Sequence, residues 1–368
     1  MHVADLAERQ RRQGHDVHVI TSTPGPPGRA LHRVTMGFRR PHALHPLASV
    51  EGLRILRTLD VDAVHAHLGV GSPLSFLMAR SAARQGLPTV VTVHSMWAGV
   101  APMVVVADAL GGWSSLPIAW TAVSEAAATP VRPHLRSHAP ITLLSNGIDQ
   151  DGWRMSGAPD VPGELHLVAV MRLAARKRPL ALLRMVRRAQ ATLDRSGEPT
   201  RLRLTVAGEG PLRASMERYL ARHGMSDLVN LVGRLDRPGV RSLLGRSHVF
   251  LAPADLESFG IAALEARCAG LPVVAKERGG IGEFIGHERE GLLCGSDHEM
   301  EAAVVRLARN PKLRLRIAAH NRTADCHVAW DAMLAATDRV YERAYQLQHG
   351  TDRTGRAVVA TQARESRS

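Results

Sequence analysis

Short aliphatic and β-branched runs, each followed by a longer stretch of helical periodicity, recur along most of this chain and constrain its fold more than any other feature. "DVHVIT", "VDAVHAH", "PTVVTVH" and "AWTAVS" come first; "LHLVAVMR", "LRLTVAGEG", "NLVGRL", "HVFLAPA" and "LPVVAKE" follow. Continuous apolar strands are buried on both faces, and strands spaced by helices build doubly wound parallel sheets. The polar stretch "SGAPDVPGE" parts the two sets. The pattern therefore predicts two Rossmann-like α/β domains, residues 1–155 and 164–325, joined by a linker at 156–163. The end of the chain, 347–368, lacks the pattern and reads as a disordered tail.

Composition narrows the function classes. With 368 residues, 45% of them apolar, there is material for two cores, while an aromatic content of 4% argues against stacking platforms for single-stranded nucleic acid. The net charge of +13 is almost entirely arginine, since lysine occurs only at Lys177, Lys276 and Lys312. That bias reads equally as the imprint of a GC-rich genome or as affinity for phosphorylated substrates and an anionic membrane face. Any nucleic-acid contact resting on this charge alone would be nonspecific and would collapse with salt. Cys268, Cys294 and Cys326 are an odd set without metal-ligand spacing, as expected of reduced thiols in a cytoplasmic protein. No signal peptide or long uninterrupted apolar span is legible. The nearest candidate, 103–120, is interrupted by Asp108, Gly111, Gly112 and Pro117 and reads as a buried or interfacial helix region. Location is thus expected in the cytoplasm, with peripheral contact at the inner membrane face as the membrane option.

In doubly wound sheets ligands bind beyond the carboxyl ends of the strands. His94 ends "VVTVH", Arg172 ends "LVAVMR", Gly208 and Gly210 end "LTVAGEG", Gly233 follows "NLV", Glu257 follows "FLAPAD", and Gly279 and Gly280 follow "VVAKER". Their recurrence at strand ends predicts one cleft between two domains.

Two motifs carry chemistry. "RLAARK" sets Arg172 and Lys177 five positions apart after a strand, where a guanidinium fork and a point charge can grip a pyrophosphate. A solvated basic turn is an equal reading, since Arg176 and Arg178 lie there too. In "LESFGIAALEA" a helix beginning near Ser258 would turn the amides of Phe259, Gly260 and Ile261 toward an anion. Glu257 and Glu265, eight positions apart, would then lie about 12 Å apart along the axis, the scale of a nucleotide-sugar from hexose to ribose. The alternative leaves Glu257 as a dipole partner and Glu265 as a surface helix residue.

Taken in order, these motifs resemble the GT-B glycosyltransferases, specifically retaining glycosyltransferase family 4. "GHDVHVIT", "VDAVHAH", "VVTVHS", "TAVSE" and "LLSNGID" with Trp153 are similar to the family's first domain. "RLAARK", "VAGEGPLR", "LVGRL", "APADLESFGIAALEARCAGLPVVA" and "GGIGEFI…GLL" are similar to its donor domain. Trp330 and Tyr341 resemble the closing helix, 326–346, which in the family crosses back to the first domain. The likeness spans about residues 2–346, and the EX7E element is its most specific part.

The resemblance implies that Arg172 and Lys177 neutralise the donor pyrophosphate, Glu265 binds the ribose and Glu257 the transferred sugar. Ser258, Phe259, Gly260 and Ile261 would line the donor with Gly208, the Gly233–Arg234 loop would border the base, and His94 would sit beside the reacting sugar. It also implies no metal and no cofactor beyond the nucleotide-diphosphate sugar co-substrate, retention of anomeric configuration, and an acceptor of unspecified identity, with cell-envelope precursors favoured. A hydrogen-bonded structural role is the plainer reading of His94 in a chain with 19 histidines. Met171 stands where the family commonly has glycine. The family also opens with a strand and a Gly-Gly loop ahead of the helix equivalent to "HVADLAERQRRQGH", whereas this sequence starts inside that helix. A start codon placed too late is the favoured reading, and a truncated donor-binding but inactive protein is the alternative. A nucleotide-sugar 2-epimerase shares the architecture, but EX7E with RX4K disfavours it.

Overall fold

The computed structural model describes residues 2–23, 25–34, 46–69, 72–97, 108, 112–135, 140–157, 163–326 and 328–350. The chain divides into two compact units, 1–147 with 331–368, and 148–330. The boundary falls earlier than the 156–163 stretch suggests. Ile148 N–H donates to Val328 O at 3.0 Å, and Gln150 bonds Ala324 O at 2.9 Å and Cys326 N–H at 2.7 Å, which ties 148–155 into the second unit. Of the linker, 158–162 lie outside the described residues.

In the first unit, β1 (Val19–Thr21) pairs with β2 (Leu31–Arg33). A separate parallel sheet runs in the order β3 (Val64–Leu68), β4 (Thr89–Val93), β5 (Ile118–Ala122) and β6 (Thr142–Leu143). Every residue of β4 and β5 is buried, as their unbroken apolar runs require. The described helices of this unit are α1 (His2–Arg12), α2 (Pro46–Thr58), α3 (Pro73–Arg84) and α4 (Glu125–Ala128), together with the closing helix Trp330–His349 from Asp331 onward. That last helix outruns the expected 326–346 and takes in 347–349 of the expected tail; 351–368 lie outside the described residues. Within the 103–120 region, Ile118–Trp120 belong to a buried strand instead of a helix, because three consecutive residues there pair with Thr89–Val91. The stretches 103–107 and 109–111 lie outside the described residues.

The second unit holds a six-stranded parallel sheet, β7 (Glu164–Val170), β8 (Arg201–Ala207), β9 (Val229–Gly233), β10 (Val249–Ala252), β11 (Val273–Lys276) and β12 (Gly291–Cys294). Its spatial order is β12-β11-β10-β7-β8-β9. The helices are α5 (Gln150–Trp153), α6 (Pro179–Arg195), α7 (Arg213–Arg222), α8 (Arg237–Gly245), α9 (Ile261–Cys268), α10 (Asp297–Arg309) and α11 (Pro311–Thr323), so the closing helix is α12. Leu182, Val186, Ala189 and Leu193 recur at helical spacing on α6 and join Leu165, Leu167, Leu202 and Leu204 of β7 and β8 in one core. Burying each such leucine stabilises by about 1.5–3 kcal/mol. Among the described residues no helix is long and apolar enough to cross a membrane.

Candidate active site

Strand order reverses at β7: β8 and β9 lie to one side of it, β10 to β12 to the other. Loops leaving two adjacent strands part at such a reversal, and a crevice opens between them. The loops concerned are 171–178 and 253–260, which carry the basic and the acidic motif. Their tips meet. Lys177 Nζ donates to Glu257 Oε2, with side chains only 18% and 16% exposed. Arg172 is exposed and makes no ion pair or side-chain hydrogen bond among the described residues.

Backbone proximity explains the glycines here. A Cβ on Gly208, at φ +144°, would stand 1.8 Å from Met171 O, so only glycine lets the ends of β7 and β8 close up. Met171 itself is partly buried and packs against the core of this unit. Gly233 joins the same edge, its carbonyl accepting from Gly208 N–H at 2.7 Å, while Arg234 beside it is exposed.

The acidic motif departs from expectation at its start. Helix α9 begins at Ile261, after Gly260 at φ +93°, instead of near Ser258. A left-handed residue cannot continue a right-handed helix, so 257–260 is a loop and only 261–265 follows helical rise. The 12 Å figure, built on eight helical residues, does not apply. Among the described residues the amides of Phe259, Gly260 and Ile261 donate to no protein acceptor. Phe259 is buried against Phe284 with ring centroids 5.4 Å apart, Ser258 is half-buried, and Ile261 is 39% exposed. Glu265 is buried at 9% exposure, which removes the surface-residue alternative.

A set of charges missed in the sequence braces these loops. Arg178 follows Lys177 in the left-handed region at φ 56°. Its guanidinium holds Asp297 in two hydrogen bonds of 2.8 and 2.9 Å, Pro253 O at 3.1 Å and Asp255 at 3.1 Å. Lys276, at the end of β11, is 4% exposed and lies 2.8 Å from Asp297 and 3.7 Å from Asp255. Hydrogen bonding from Arg178, reinforced by Lys276, holds Asp297 down at a pKa of about 2. Two signals were available: Lys276 is one of three lysines in an arginine-rich chain, and "SDHE" at 296–299 is a capping box that fixes Asp297 at a helix start.

In the first unit His94 follows β4, its N–H bonded to Leu68 O at 2.8 Å. Its Nε2 shares a 2.9 Å hydrogen bond with His67 Nδ1, and His67 stacks on His65 at 4.2 Å between centroids. His65 bonds Thr92 Oγ1 at 2.7 Å and the Tyr341 hydroxyl of α12 at 3.1 Å, and Gln10 of α1 reaches the same hydroxyl at 3.0 Å. Burial, with mutual repulsion adding to it, lowers His65 to a pKa of about 3; burial lowers His94 to about 4. All are neutral near pH 7, so each offers one donor and one acceptor nitrogen.

The comparisons with known proteins agree across both units. The model for "Glycosyltransferase Family 4" matches residues 1–151, and that for "Glycosyl transferases group 1" matches 159–324. The chain belongs to glycosyltransferase family 4. It is 27% identical to the glycogen synthase of Mycobacterium tuberculosis H37Rv over 92% of this chain and 89% of that protein. Identity is likewise 27% to the phosphatidyl-myo-inositol mannosyltransferase of Mycobacterium leprae, over 93% and 91% respectively. The fold matches Anabaena HepE, solved in complex with UDP-glucose, with a TM-score of 0.65 at 16% identity over 85% of each chain. This family 4 glycosyltransferase therefore has the GT-B architecture of two parallel-sheet α/β units.

Proposed function

We propose that this glycosyltransferase moves a sugar from a nucleoside-diphosphate sugar, retaining anomeric configuration and using no metal. The observation that carries the reading is the meeting of Lys177 and Glu257 at the β7/β10 reversal, with exposed Arg172 on the same loop as Lys177. Arg172 and Lys177 stabilise the diphosphate as charge develops on it, and the amides of Phe259, Gly260 and Ile261 add fixed dipoles. Glu257 accepts hydrogen bonds from the transferred sugar. Glu265, buried on α9, accepts from the ribose, and the loop of Gly233 and Arg234 borders the base. His94, kept neutral, contacts the transferred sugar. The departing phosphate takes the acceptor proton on the face it leaves, so positioning and charge stabilisation supply the catalysis. The bound UDP-glucose of the HepE structure supports the donor class. The two relatives bear names with unlike acceptors, glycogen and phosphatidyl-myo-inositol, so the acceptor class is not carried over from either.

A screen of UDP- and GDP-sugars against polysaccharide, polyol and lipid acceptors tests the reading, with product configuration read by proton NMR and activity followed in chelator. Glu257→Gln is expected to lower kcat by about 100-fold, and Glu265→Ala to weaken nucleotide affinity by roughly tenfold. Turnover left intact by both changes would reject the assignment.

A further inference from the structure

The roles proposed for Lys177 and Glu257 call on the same atoms that these residues use on each other. Lys177 Nζ is the cation meant for the diphosphate, yet it is bonded to Glu257 Oε2; that oxygen belongs to the carboxylate meant for the sugar hydroxyls. Both are largely shielded from water, so an ammonium matched to one anion is a weaker partner for a second. Their backbones are held. Lys177 N–H bonds Ala174 O at 2.9 Å, the Arg178 guanidinium clamps the next residue to Asp297 and Asp255, and Glu257 O accepts from Gly280 N–H at 2.8 Å. Side-chain rotation is enough to separate the pair.

Resting on the site reading above, we infer that donor binding is a partner exchange: Lys177 passes from Glu257 to the diphosphate, while Glu257 passes from Lys177 to hydroxyl donors of the sugar. The intact donor satisfies both groups. The nucleoside diphosphate left after transfer satisfies Lys177 alone and leaves Glu257 as an uncompensated carboxylate beside a polyanion. Glu257 then competes with the product for Lys177. The pair thus favours donor over product and hastens release of the diphosphate, a selectivity written into one contact. Removing the Glu257 charge has two separable effects: transfer is lost with the sugar contact, and the product binds more tightly because Lys177 is released.

Calorimetric titration of the full-length protein with UDP and with GDP tests this, the tighter nucleotide being followed through four proteins: wild type, Glu257→Gln, Lys177→Met and the double variant. The exchange expects Glu257→Gln to bind the diphosphate about tenfold more tightly than wild type, about 1.4 kcal/mol. It also expects that gain to vanish when Glu257→Gln is introduced into Lys177→Met, because the competition acts through the ammonium. No gain, or a gain of the same size without Lys177, overturns the exchange; the latter would mark a simple field of Glu257 on the phosphates. Those outcomes leave the donor site standing so long as Lys177→Met weakens binding. If Lys177→Met binds like wild type, or neither nucleotide binds, the site reading itself fails and the exchange with it.

Discussion

Arg178 is one of three described non-glycine residues at positive φ, a conformation that costs an L-residue about 1–2 kcal/mol. Its guanidinium offsets that cost by joining Asp297, Asp255 and Pro253 O beneath the loop that carries Lys177. Arg178→Gly separates strain from clamp. Glycine relieves the backbone, but among the described residues Asp297 and Asp255 then keep only Lys276 as a cationic partner. With both partners of the clamp more than a quarter exposed, a net loss of about 1–2 kcal/mol is expected in urea unfolding, together with a lower kcat. A variant as stable as wild type would show that the clamp is worth no more than the strain it offsets. Arg178 was illegible in the sequence because "RLAARKR" offers several arginines alike, and its partners lie 75 to 119 positions away with no spacing to mark them. Glu257 and Lys177 stood out for the opposite reason. Each sits in a local motif at a strand end, where parallel sheets place their ligands.

At the scale of elements, long strands announced themselves through unbroken Val, Leu and Ala, whereas β2 and β6, at three and two residues, left no pattern to read. The start of α9 was misplaced because Ser258 is a common capping type, while the deciding feature is the left-handed turn at Gly260. Two glycines of the loops at the β7/β10 reversal and the end of β8 give a discriminating prediction. A Cβ at Gly260 would meet the Ile281 side chain at 2.4 Å; at Gly208 it would meet the Met171 carbonyl at 1.8 Å. Each alanine substitution is expected to destabilise by roughly 2–4 kcal/mol, from overpacking and positive φ together. Introduced into an Ile281→Ala background, Gly260→Ala should cost less in thermal melting than it does in wild type, whereas Gly208→Ala should cost the same in both. Backbone cannot be trimmed. Equal behaviour of the two pairs would show that strain in φ, and not close approach, sets both positions.

The whole molecule carries two units with different responses to acid. In the first, His65, His67 and His94 are held neutral, chiefly by burial, with His65 at about 3, His94 at about 4 and His67 well below its ordinary value. Unfolded histidines titrate near 6.5, so between that value and the folded ones the unfolded state binds more protons. Stability of this unit is therefore complete above pH 6.5 and falls as pH drops toward 4. Each unit of pKa difference is worth about 1.4 kcal/mol, and because His94 shares a hydrogen bond with His67 the array titrates as a set and does not sum residue by residue. The second unit is governed differently. Asp297, held at about 2 by Arg178 and Lys276, contributes stability that is present above the ordinary aspartate value of 3.8 and is lost only as pH falls through about 2. Trp97, Trp113 and Trp120 lie buried in the first unit, and Trp153 and Trp330 in the second, so tryptophan emission weights the first. On acid titration the emission change is expected between pH 6 and 4, ahead of the main loss of far-ultraviolet circular dichroism. His67→Gln, which keeps a hydrogen-bonding side chain without a titrating one, should move the emission midpoint to lower pH. Coincident transitions by both probes, or a midpoint unmoved by His67→Gln, would place the acid sensitivity outside the histidine array.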